Sequence, residues 1–70
     1  MDEQEFLHRI SVAYNINIEL LKDLIHDEGL LTLIKAGKSR DAILYISKAH
    51  PILGLFEAKK IVEAFSKEFN

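Results

Sequence analysis

Seventy residues, almost half of them apolar and with no cysteine, make one small domain that has only packing to hold it together. That composition excludes the disulfide-stapled scaffolds and every thiolate metal site. The formal charge of −2 excludes a strongly basic nucleic-acid binder, and no apolar run approaches the about 20 residues that span a bilayer.

The start, Met-Asp-Glu-Gln-Glu-Phe, is acidic, whereas a secretory signal opens with a basic stretch and an apolar run. The reading is therefore a cytoplasmic protein. A first helix is expected from about Asp2 to Tyr14. Asp2 and Glu5 have the spacing of a capping box, and Phe6, Leu7, Ile10, Ala13 and Tyr14 share a face. Asn15 ends it. A second helix starts on the N-cap Asn17, with Ile16 and Leu21 placed as a hydrophobic staple. Ile18, Leu20, Leu21, Leu24 and Ile25 form its apolar side.

The pattern changes near Asp27-Glu28-Gly29, and a kink or break is expected close to Gly29. Leu30, Leu31, Leu33 and Ile34 surround the axis of a short third helix that closes at Gly37, a residue suited to left-handed backbone. Ser39 is read as the cap of the next helix, with Asp41 in its first turn. Ala42, Ile43, Leu44, Tyr45, Ile46 and Ala49 make that helix apolar on most sides, so it is expected to be the central one. His50-Pro51 stops it, because the residue before proline avoids helical angles. Gly54 opens a last helix whose inner face carries Leu55, Ala58, Ile61, Val62, Phe65 and Phe69. The fold class is all-α: a compact bundle of four to five short helices ending in a helical hairpin.

The stretch Arg-Asp-Ala-Ile-Leu-Tyr-Ile-Ser-Lys-Ala-His-Pro-Ile-Leu-Gly-Leu-Phe-Glu-Ala-Lys-Lys-Ile-Val-Glu, Arg40 to Glu63, carries two features together. They are a basic-aliphatic helix and a Leu53-Gly54-Leu55 turn leading into Glu57-Ala58-Lys59 and Val62-Glu63. It resembles the helical hairpin in the C-terminal domain of the bacterial ribosomal stalk protein. The likeness covers about a third of the chain. It implies docking of translation factor GTPases through basic residues and a small apolar patch. Arg40, Lys48 and Lys59 match the family's basic residues, and Ala42 and Ile43 match part of its apolar patch. The sequence departs from the family at Asp41, at Pro51-Ile52 and at Phe56, and it lacks a strand pattern around the hairpin where the family has three strands.

Charge is unevenly placed. Up to Ile34 the acids Asp2, Glu3, Glu5, Glu19, Asp23, Asp27 and Glu28 face only Arg9 and Lys22. From Lys35 onward, Lys35, Lys38, Arg40, Lys48, Lys59, Lys60 and Lys67 outnumber Asp41, Glu57, Glu63 and Glu68. The two halves either attract each other across the fold or aim a surface at a partner.

Catalytic and metal chemistry find no constellation. His8, His26 and His50 have no ligand spacing, the serines lack a glycine-flanked elbow, and Gly37-Lys38-Ser39 is only the tail of a phosphate loop. No enzyme, metal or cofactor is expected. Phe56 lies roughly 100° from Leu55 on a helical wheel, off the apolar stripe, where an aromatic serves as a contact hot spot or else folds back onto Pro51 and Ile52. Val12 and Leu44 are also off the main faces of their helices.

The expected partner-binding residues are Arg40, Ile43, Lys48, Ile52, Phe56, Lys59 and Lys60. They suit a protein-binding adaptor or inhibitor acting on a translation-linked or other cytosolic enzyme. The alternative is a nucleic-acid-binding helical module using the basic half. Val12, Leu44, Ile52, Leu53 and Phe56, with the leucines of the third helix, exceed what one bundle can hide, so a homodimer is also expected.

Overall fold

The computed structural model describes residues 2–69, and within them the chain forms five α-helices and no strand. They are α1 (Glu3–Tyr14), α2 (Ile18–Ile25), α3 (Glu28–Lys35), α4 (Ser39–Ala49) and α5 (Leu55–Phe69). The all-α reading holds, and α4 and α5 form the expected hairpin.

Local chemistry sets most boundaries. Asp2 caps α1, but its carboxylate accepts from the Gln4 amide at 2.8 Å, one residue short of the partner that a capping box uses. Asn15 closes α1 in left-handed backbone at φ 54°. Ser11 then grips the elbow: its carbonyl accepts from the Ile16 amide and its hydroxyl donates to the Ile16 carbonyl at 2.6 Å. Asn17 caps α2 through the Glu19 amide, and the staple residues Ile16 and Leu21 are both buried.

The break between α2 and α3 falls at His26-Asp27, ahead of the expected Gly29. Asp27 is the N-cap of α3 and accepts from the Leu30 amide, which leaves Gly29 inside the first turn. Gly29 is there for space. A Cβ on it would lie 2.7 Å from the Tyr45 hydroxyl, which reaches across from α4 to donate to Asp27 at 2.8 Å. One carboxylate therefore caps α3 and ties α4 to the α2–α3 junction.

At the far end of α3, Gly37 sits at φ +77°. Its amide donates to the Ile34 carbonyl and that of Lys38 to the Leu33 carbonyl, the paired bonds of a Schellman closure. That closure makes Lys38 the N-cap of α4, so Ser39 is the first helical residue and does not cap it as expected. The His50–Leu53 turn, with Pro51 at its second position, joins α4 to α5.

The core corrects one expectation about layering. α5 is the central helix, packed against α4, α3 and α1. It buries Ala58, Ile61, Val62 and Phe65, whereas α4 buries only Ala42 and Ile46. Phe65 meets Phe6 at 5.8 Å between ring centres and Phe69 edge-on at 6.2 Å, which locks α1 onto α5. Three residues placed on inner faces by spacing are exposed: Ala13 and Tyr14 at the end of α1, and Leu55 at the start of α5. Each lies in a terminal turn.

Candidate interaction surface

The core's closure leaves six large apolar side chains exposed among the described residues: Val12, Tyr14, Leu44, Ile52, Leu55 and Phe56. Three of them stand within five residues at the tip of the α4–α5 hairpin. Ile52 is 90% exposed, Leu55 61% and Phe56 62%. The turn explains this grouping. Pro51 and the short connection bring the chain round before α5 has reached the shelter of its neighbours, so its first turn projects beyond the core. Phe56 does not fold back to seal the turn. Its ring instead lies under the Lys60 ammonium, 5.3 Å from ring centre to Nζ, one helical turn further on.

Lysines frame the tip. Lys59 is exposed one turn beyond Leu55, and Lys48 is exposed in the last turn of α4. The other two expected contact residues stand apart. Arg40 is exposed at the start of α4, eight residues from Lys48 and so about 12 Å away along the helix. Ile43 is half-buried and packed against the core. Lys48, Ile52, Phe56, Lys59 and Lys60 thus cluster toward the tip, while Arg40 and Ile43 lie toward the other end of α4.

A groove runs along the other side of the tip, a feature that sequence spacing missed. It is an open depression of about 770 Å³ between the α1–α2 elbow, α2 and the hairpin turn. Tyr14, Ile16, Leu20, Ile52 and Leu53 supply its apolar surface, and Glu19, Asp23 and Glu57 are its charged residues. No lysine or arginine lines it. Tyr14 could have been flagged, because it ends its helix just before the chain turns away at Asn15 and no following turn covers it.

Among the described residues no ion pair joins the acidic half to the basic half. The acid–base side-chain contacts among the described residues are Lys22–Glu19 at 3.5 Å and His26–Glu3 at 3.0 Å, the second ionic only when the imidazole is protonated, and both lie within the first half. The lysines around the tip are left facing outward. Among the described residues no group of His, Asp and Glu side chains is placed to hold a metal ion, and no helix is long and apolar enough to cross a membrane. Tyr45 has a raised pKa, first because its hydroxyl donates to Asp27, then through desolvation and the carboxylate's charge. No family model, curated protein or solved structure matches the chain.

Proposed function

We propose that the chain is a non-catalytic, protein-binding module of the cytoplasm, an adaptor or inhibitor whose contact surface is the tip of the α4–α5 hairpin. The observation that carries this reading is the exposure of Ile52, Leu55 and Phe56 within five residues of one another, half of the large apolar side chains exposed among the described residues. An aromatic held by a neighbouring lysine loses little freedom on docking, which suits a hot spot. Lys60 and Lys59 beside it, with Lys48 in the last turn of α4, favour a partner surface that is apolar with an acidic rim.

The likeness of Arg40–Glu63 to the stalk-protein hairpin adds support for a protein partner, and translation factor GTPases are the first class to test. A nucleic-acid partner is less favoured, because the overall charge is negative and the sequence has no run of interleaved basic and aromatic residues.

The test is capture from native extract with and without nuclease, comparing the natural chain with Phe56→Ala and Lys59→Glu. The expected result is a nuclease-resistant protein partner that both variants lose while both stay folded, with Phe56→Ala lowering the melting temperature by roughly 10 °C at most. Capture that nuclease abolishes, with a steep loss of binding in salt, would assign the surface to nucleic acid instead.

A further inference from the structure

We propose that the groove and the tip are the two complementary halves of one two-fold interface, through which the chain pairs with a second copy of itself. The proposal rests on the tip being a contact surface, as read above, and adds what covers it when no other partner is bound.

The groove asks for a bulky apolar side chain flanked by positive charge. Its apolar surface comes from Tyr14, Ile16, Leu20 and Leu53, and its charges are the carboxylates of Glu19, Asp23 and Glu57. Lys22 partly offsets Glu19, and among the described residues neither Asp23 nor Glu57 has an ion-pair partner. The tip offers the matching object: Phe56 with the Lys60 ammonium over its ring and Lys59 beside it. A protomer cannot satisfy this match internally. Phe56 does not line the groove, and it stands on the side of α5 turned away from the buried stripe of Ala58, Ile61, Val62 and Phe65.

The tip and the groove meet at one residue. Ile52 belongs to both, lining the groove and standing 90% exposed at the tip. In a two-fold pair each tip enters the other copy's groove. Entry of one tip into one groove then brings the reciprocal pair together, giving a closed dimer in place of an open chain. Dimerisation hides the tip, so it competes with any other partner and makes capture of that partner fall as protein concentration rises.

The test uses charge reversal on the whole chain. The natural protein, examined by sedimentation from roughly 10 µM to 1 mM, should move from its 8.0 kDa monomer mass to twice that mass, and the dimer should weaken in salt. Asp23→Lys places like charges in both contacts of the dimer and should raise the dissociation constant by ~10-fold or more, as should the double variant Lys59→Glu/Lys60→Glu. Mixed together, these two variants should pair with each other. One contact then has lysine in the groove and glutamates on the tip, and the other is the natural contact. Circular dichroism checks that each variant stays helical.

A natural chain that remains a monomer up to the highest concentration overturns the proposal. So does a mixture no more associated than its separate components. The functional reading above is tested independently, because Asp23→Lys leaves the tip untouched. If that variant captures the natural chain's nuclease-resistant partner while the natural chain stays monomeric, the pairing fails and the partner-binding role stands.

Discussion

Two phenylalanines nine residues apart on α5 offer a direct contrast between core and surface. Phe65 is fully buried against Phe6 and Phe69, whereas Phe56 is 62% exposed. Replacing a fully buried Phe by Ala costs about 3–5 kcal/mol, from lost transfer energy and the cavity left behind. A domain of this length has roughly 4–10 kcal/mol of stability in all, so Phe65→Ala removes a large share of it. At Phe56 only about two-fifths of the surface is covered, which scales the same loss to roughly 1–2 kcal/mol. The better helix propensity of alanine returns about 0.5 kcal/mol of that. At 4–8 °C per kcal/mol for a small domain, Phe65→Ala should lower the melting temperature by about 15 °C or more, and Phe56→Ala by roughly 10 °C at most. Thermal and urea unfolding followed by circular dichroism measure both. Equal losses for the two variants would place Phe56 in the core and refute the assignment of the tip as a free surface.

Gly29→Ala should displace the Tyr45 hydroxyl from Asp27, so that the gain of about 1 kcal/mol that alanine offers as a helix former is not realised; urea unfolding showing the full gain would contradict this. Tyr45 should titrate above the usual tyrosine range in the ultraviolet, and Asp27→Ala should bring it down. The sign for stability follows from the raised value. The folded state holds the phenolic proton more tightly, so this contribution is complete below pH about 10 and is lost as pH rises through the higher folded value. Gly37→Ala should cost about 1–2 kcal/mol through backbone strain alone, since a Cβ there meets nothing within 4 Å; a neutral outcome in urea unfolding would show that α3 can close another way.

The helices were legible in the sequence because their signals are local. Asn17, Asn15, Gly37 and His50-Pro51 mark boundaries that the structure keeps, and apolar spacing placed Phe6, Leu7, Ile10, Leu21, Leu24, Ile61, Val62 and Phe65 inside. What spacing could not supply is where an element runs out of neighbours. Tyr14 and Leu55 lie on the correct faces of their helices but in terminal turns, so they are exposed. Gly29 looked like a helix breaker, yet its role is to make room for a ring arriving from residue 45. The central position passed from α4 to α5 for a related reason. The apolar residues of α4 spread around its axis and only Ala42 and Ile46 find cover, while the continuous stripe of α5 touches three helices. Phe56 was visible as an outlier from its wheel position alone. The groove beside it was not, because it is assembled from the α1–α2 elbow, α2 and the hairpin turn, which are distant in sequence.

The most direct test of the tip as a contact surface is site-specific photo-crosslinking in the native cell. A photoreactive phenylalanine analogue is placed at Phe56, and in a parallel control at Val12, which is 68% exposed on α1 and does not line the groove. The account expects discrete protein adducts from position 56 that position 12 does not give, with any adduct at twice the chain's 8.0 kDa reporting self-pairing. Equal labelling from both positions, or none from position 56, would contradict it.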